Sequence, residues 1–131
     1  MNYNMFMNRV LILGGGVGGL VAANELKTRL GDRVDVTLVD RKKVFEFAPS
    51  FIWLSFNERR PEHISKELAL LKRKGIHVIN DTVTKIDVGN RRVNTEYNEF
   101  EYDYDYLIIA LGADYAYDIV KDFSYAHHNY S

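Results

Sequence analysis

The sequence predicts an α/β fold built on a parallel sheet, and three observations carry that prediction. A continuous apolar run, RVLIL (Arg9–Leu13), ends directly in glycines. The next stretch, GLVAANELKTRLG (Gly19–Gly31), places Leu20, Ala23, Leu26 and Leu30 at helical spacing. RVDVTLVD (Arg33–Asp40) then alternates and is rich in valine. Strand, helix and strand in so short a span make a βαβ unit, whose crossover is right-handed.

Each element follows from its residues. Met1–Asn8 is a polar lead-in with no signal-peptide pattern. Arg9–Leu13 is apolar throughout, as a strand buried on both faces must be. The helix after it is expected to stop at Gly31, a residue suited to the left-handed cap. RKKVFEFAPSFIWLSFNERRPEH (Arg41–His63) has no clean period. It holds five aromatics and both prolines, so it reads as a long ordered loop with short helical pieces. Ile64–Gly75 is expected to be helical, with Ile64, Leu68 and Leu71 on one face. Ile76–Ile79 and Thr82–Val88 follow as a strand pair, and Gly89-Asn90 is a turn signal. RRVNTEY and FEYDYDYLIIALG are the last strands, and the Tyr/Glu/Asp alternation of Glu96–Tyr106 predicts an exposed strand face.

Totals narrow the function classes. The chain has 131 residues, one domain by size, with 47% hydrophobic and 27% charged residues. Lys and Arg number 17 against 18 Asp and Glu, so charge makes no case for nucleic acid or an anionic membrane. No cysteine is present, which excludes disulfides, thiolate metal sites and cysteine nucleophiles within these residues and suits the cytoplasm. No stretch reaches the length of a membrane-spanning helix.

The chemistry concentrates at one motif. Gly14, Gly16 and Gly19 form G-x-G-x-x-G within the run Gly14, Gly15, Gly16, Val17, Gly18, Gly19. It follows a strand, opens a helix, and is matched by an acid, Asp40, at the end of the next strand. The first glycine allows a tight turn, the second lets backbone approach a pyrophosphate, and the third lets the helix pack on the strand. The pyrophosphate then meets free N–H groups at the positive end of the helix dipole. Asp40 would accept hydrogen bonds from ribose hydroxyls. Arg41, Lys42 and Lys43 suit either a 2′-phosphate or solvent. The acid beside them would repel a 2′-phosphate, which favours solvent, with Arg41 near the adenine. His127 and His128 are read as surface residues, because no carboxylate or cysteine cluster supports a metal site. His63 and His77 show no partner in sequence, and Glu58–Glu62 reads as a solvated charge cluster.

RVLILGGGVGGLVAANEL, VTLVD, FEFAPSFIWL and YDYLIIALGA occur in the order seen in two-dinucleotide-domain flavoproteins. The chain therefore resembles the pyridine nucleotide–disulfide oxidoreductase superfamily, and within it the sulfide:quinone oxidoreductases and flavocytochrome c sulfide dehydrogenases. The resemblance covers Arg9 to Asp114. It implies a Rossmann-like parallel sheet with helices on both faces and a small antiparallel β-meander, with residues 1–131 forming an N-terminal FAD-binding domain that is truncated. The meander strands would be Ile76–Val88 and Arg91–Phe100, with return to the sheet at Leu107–Ala110. The cofactor implied is FAD. Gly14 to Gly19 would hold its pyrophosphate, Asp40 with Arg41 its ribose, and the Val83 backbone its adenine edge. Pro49 would lie near the isoalloxazine. Ala110, Leu111 and Gly112 match an Ala-Thr-Gly signature, with Leu111 replacing the threonine. Phe45, Phe47 and Trp53 stand between core packing and a flavin-facing role.

The resemblance also implies what is missing. Family members are roughly three times as long, oxidise sulfide through cysteines and attach peripherally to membranes. The chain is thus expected to have no catalytic residues of its own, to be inactive alone, and to pair with a partner chain or another copy over its unfinished fold. Two other readings stay open: a type II NADH dehydrogenase-like fragment, and a non-catalytic nucleotide-binding module completed by a partner.

Overall fold

The structure is a computed structural model that describes residues 7–97, 102–114, 116 and 119. Its centre is a four-stranded parallel sheet. The strands are β1 (Asn8–Leu13), β2 (Val34–Asp40), β5 (Ile76–Asn80) and β9 (Tyr106–Ile109), in the order β5-β2-β1-β9. Helix α1 (Val17–Leu30) makes the crossover from β1 to β2. It ends at Gly31, the expected stop, which takes a positive φ of 57° with ψ −125°. β1 pairs with β2 from Asn8↔Val34 to Leu13↔Val39, and with β9 from Val10↔Tyr106 to Leu13↔Ile109.

Alternate residues of a strand face opposite sides of its sheet, and here both sides are covered. Val10 and Ile12 join Val36, Leu38, Ala23 of α1 and Leu68 in one cluster. Leu11 and Leu13 join Val39, Val93 and Tyr104 in a second. That double burial is why RVLIL carries no polar alternation. Each fully buried side chain such as Ile12 or Leu38 contributes about 1.5–3 kcal/mol.

The face opposite α1 is roofed by an antiparallel meander of β6 (Val83–Asp87), β7 (Arg92–Thr95) and β8 (Tyr102–Asp103). Among the described residues this meander, rather than a second helix, covers that face. Its sheet pairs β6 with β7 and β7 with β8.

Four local expectations are corrected. Ile76–Asn80 does not pair with the strand after it and is not part of the meander; it joins β2 in parallel as the outer strand of the main sheet. Ile64–Gly75 is not one helix. A single turn, α3 (Pro61–Ile64), is followed by β4 (Ser65–Glu67) and a 3₁₀ segment (Leu68–Lys74). The reason is tertiary: β4 pairs with β3 (Val44–Glu46), which extends the backbone between the buried anchors Ile64 and Leu68. The predicted loop 41–63 has the expected short helical pieces, a 3₁₀ turn (Ala48–Ser50) and α2 (Phe51–Ser55), but also carries the strand β3. Finally, the acidic-aromatic alternation is not wholly exposed. Tyr104 turns into the core at the break between β8 and β9 and is 5% exposed. Phe100, His127 and His128 lie outside the described residues.

Arg9 and Asp105 fasten β1 to β9. The Arg9 amide donates to Asp105 Oδ2 at 2.7 Å and Nη2 to Oδ1 at 3.2 Å. Hydrogen bonding to Arg9 holds the Asp105 carboxyl below the usual carboxylate range, and the same pairing raises the Arg9 guanidinium.

Candidate functional site

The glycine loop lies where β1 ends, between the ends of β2 and β9. Gly14 N donates to Val39 O at 2.8 Å, and Ala110 N donates to Leu13 O at 2.7 Å. Gly14 has φ 103°, and a Cβ there would stand 2.2 Å from Ala110 O. Gly19 faces the same loop from inside α1, where a Cβ would stand 1.8 Å from Gly14 O. These two glycines are required by packing: backbone meets backbone at both. Gly16 is different. A Cβ there meets nothing within 4 Å, so its space is open toward solvent.

Gly16 is also the residue that precedes α1, with φ −75° and ψ −171°, and no side chain caps the helix. The first turn contains no acid. Its N–H groups therefore keep their positive end uncompensated, which is the condition for holding an anion.

A cleft of about 620 Å³ opens at this point, at the carboxyl ends of the parallel strands. That volume lies within the usual range for small-molecule sites. The place is where the strand order turns from β1 toward β2 on one side and β9 on the other, the expected crevice of an open α/β sheet. Of the residues singled out in sequence, Gly15, Gly16, Val17, Asp40, Arg41, Pro49, Val83, Ala110 and Gly112 line the cleft. Gly14 and Gly19 are buried behind it, and Gly18 is exposed and does not line it. Phe45 lines the cleft, whereas Phe47 and Trp53 do not and are partly exposed. Leu111, which stands where the resemblance expects threonine, also lines it and is exposed.

Asp40 occupies the centre of the polar contacts. Its Oδ2 accepts from Gly15 N at 2.6 Å and its Oδ1 from Lys42 N at 2.6 Å. Arg41 is exposed and pairs with Asp114 at 3.6 Å across the cleft mouth. An exposed pair of this kind contributes little, typically under about 1 kcal/mol.

Sequence reasoning missed three supports. Asn80 lies opposite Asp40 in the β2–β5 register and donates from Nδ2 to Asp40 O at 3.0 Å and Arg41 O at 2.9 Å. Asp81, 2% exposed, accepts from Thr82 N at 2.7 Å and from Tyr97 N at 3.1 Å. It thereby fixes the crossing where Val83 enters the cleft. Leu68 presses on Gly15, where a Cβ would come within 2.7 Å of its Cδ1. The signal for the first two was the dipeptide Asn80-Asp81, a polar pair at the end of an apolar strand.

His77 does have a partner: its Nε2 lies 3.4 Å from Asp35 Oδ1, far from the cleft near the strand starts. Arg59, in the predicted charge cluster, donates to Ser50 Oγ at 2.9 Å and stacks over Trp53 at 5.4 Å. Among the described residues no three His, Asp or Glu side chains gather as a metal site, and no helix is long and apolar enough to cross a membrane.

Comparison with known proteins agrees with this architecture. Residues 8–123 match the pyridine nucleotide-disulphide oxidoreductase family. The chain is 38% identical over 104 residues to the sulfide-quinone reductase of Aquifex aeolicus, covering 79% of this chain and 24% of that protein. It is 31% identical over 126 residues to the type II NADH:quinone oxidoreductase of Staphylococcus haemolyticus, covering 92% and 31%. The crystal structure of the Aquifex aeolicus sulfide:quinone oxidoreductase superposes with a TM-score of 0.76 at 35% identity, over 82% of this chain and 25% of that one. NDH2 from Plasmodium falciparum in complex with NADH gives 0.71 at 25% identity, over 83% and 23%. The chain spans 24% and 31% of the length of these two curated relatives. On the matched family region, the glycine-loop fold and the superposition together, the chain belongs to the pyridine nucleotide-disulphide oxidoreductase family.

Proposed function

We propose that the cleft binds the ADP half of FAD and that the chain is the FAD-binding part of a sulfide:quinone oxidoreductase-like flavoprotein. One observation carries this reading: the open space at Gly16, at an uncapped helix start, beside a carboxylate on the next strand. A pyrophosphate fits where a Cβ would otherwise project, against the N–H groups of Val17, Gly18 and Gly19. Asp40 and Arg41 would face the ribose, Val83 the adenine edge, and Pro49, Ala110 and Gly112 the rest of the cofactor. Bound FAD supplies electron-accepting and electron-donating chemistry. The chain's own residues bind and orient it, and none of them is assigned a catalytic role. Cysteines of the kind implied for sulfide oxidation are absent, so the chain alone is expected to be inactive.

Sulfide-to-quinone electron transfer is the reading favoured for a full-length relative, since the sulfide-quinone reductase shares the higher identity. A type II NADH:quinone reading has its own support in the larger share of this chain matched by the Staphylococcus haemolyticus relative. A partner chain or a second copy would sit on the outer edge of β9. The outer edge of β9 carries no strand among the described residues, and Tyr106 and Ile109 beside it are exposed.

The test is a visible spectrum of the purified chain before and after incubation with FAD. Retained yellow flavin supports the reading. A colourless chain that takes up no FAD overturns it. Sulfide- or NADH-dependent quinone reduction by this chain alone would overturn the expectation of inactivity.

A further inference from the structure

The Asp40 carboxylate has a second task, independent of any ribose. Its two oxygens bridge two separate segments, Gly15 N in the glycine loop and Lys42 N in the turn after β2, each at 2.6 Å. The backbone around it is held in turn: Asp40 O accepts from Asp81 N and from Asn80 Nδ2, both at 3.0 Å. The side chains crowd as well, since a Cβ at Gly15 would lie 3.3 Å from Asp40 Cβ. The carboxylate is thus clamped on one side and ties the loop to the sheet on the other. It has room for about four hydrogen bonds, so two acceptor positions remain for ligand hydroxyls.

We propose that Asp40 is a positioning residue for the glycine loop: by holding Gly15 N it presets the backbone that receives the pyrophosphate, so it governs phosphate affinity as well as ribose affinity. The role rests on the dinucleotide reading of the cleft. It matters because an acid in this position is ordinarily credited to the sugar alone. A charge-assisted bond from a backbone amide is among the stronger hydrogen bonds, and losing it frees a loop of three consecutive glycines.

The two roles separate in a cycle that changes both the protein and the ligand. The proteins are the wild-type chain and Asp40→Ala. The ligands are ADP and 2′,3′-dideoxy-ADP, which lacks both ribose hydroxyls. Calorimetry measures each dissociation constant, and thermal melting without ligand checks that the variant folds. Asp40→Ala is expected to weaken dideoxy-ADP by about tenfold, the worth of one charge-assisted bond, and ADP by more. If Asp40 acts only through the ribose, the variant binds dideoxy-ADP as tightly as the wild type, and the proposal falls. Should wild-type chain bind neither ligand, the dinucleotide reading falls first and this role with it. If Asp40→Ala does not fold, amide hydrogen exchange of the unliganded wild type decides. A Gly15 N–H protected well above that of Gly16 supports the bridge, and equal, fast exchange at both overturns it.

Discussion

Replacing Gly16 and Gly19 by alanine, one at a time, separates the two reasons for the glycine cluster. Helix propensity alone favours alanine over glycine by about 1 kcal/mol inside a helix, so on that ground Gly19→Ala would stabilise α1, while Gly16 lies before the helix and gains nothing from it. Geometry reverses the sign at Gly19. Its new Cβ would stand 1.8 Å from Gly14 O, and Cβ atoms essentially never come closer than 3.0 Å to a neighbour. The contact must therefore lengthen by at least 1.2 Å, and the atom in the way is a backbone carbonyl that also belongs to the loop. Helix α1 has to move off β1, which disturbs the Ala23 and Ile12 packing. Overpacking of this kind costs about 1–3 kcal/mol, and backbone contact puts Gly19→Ala at the upper end. At Gly16 the Cβ meets nothing, φ is −75°, and stability should hold within about 0.5 kcal/mol. The same Cβ fills the space assigned to pyrophosphate, so Gly16→Ala should lose at least tenfold in FAD affinity. Urea unfolding reads the first effect and flavin fluorescence titration the second. A Gly19→Ala chain as stable as wild type, or a Gly16→Ala chain that binds FAD normally, would refute the reasoning.

Other consequences follow from buried groups and from charge. Asp81→Ala strands the Thr82 and Tyr97 amides and should cost about 1–3 kcal/mol in urea unfolding, with no loss of α1 helicity by circular dichroism. Tyr104→Phe removes a buried hydroxyl that has no hydrogen-bond partner among the described residues, so stability should hold or rise slightly on melting. The Asp105 and Asp87 carboxyls titrate below their ordinary range, held by hydrogen bonds from Arg9 and Asn90 respectively. A lowered folded-state value contributes stability above the unfolded-state value, which is lost as the pH falls through the folded one. Melting temperature should therefore decline below about pH 4, and Asp105→Asn should flatten that decline.

The first third of the fold was legible because its signals are local. RVLIL, the glycine run and RVDVTLVD each declare their structure within a few residues, and the acid that ends β2 follows at fixed spacing. Tertiary pairing hid the rest. Ser65–Glu67 looks helical between Ile64 and Leu68, yet becomes a strand because Val44–Glu46 offers it a partner some twenty residues upstream. Ile76–Asn80 was legible as a strand, but nothing in it says that it pairs with β2 rather than with its neighbour in sequence. Tyr104 sits in an alternating acidic tract whose period predicts exposure; a break in the strand turns it inward. The site divides in the same way. Gly14–Gly19 and Asp40 were found by motif. Asn80 and Leu68 act on the cleft through contacts that span 39 to 53 residues of sequence, and Asp81 holds Tyr97 16 residues away; the polar pair Asn80-Asp81 marks a strand end but not these partners.

We propose above all that the chain carries a working half of a dinucleotide site. Equilibrium dialysis of the purified 131-residue chain against FAD, repeated with excess ADP, tests it most directly. Saturable uptake approaching one FAD per chain is expected, displaced by ADP because the ADP half does the binding. No uptake, or uptake that ADP leaves untouched, would contradict it.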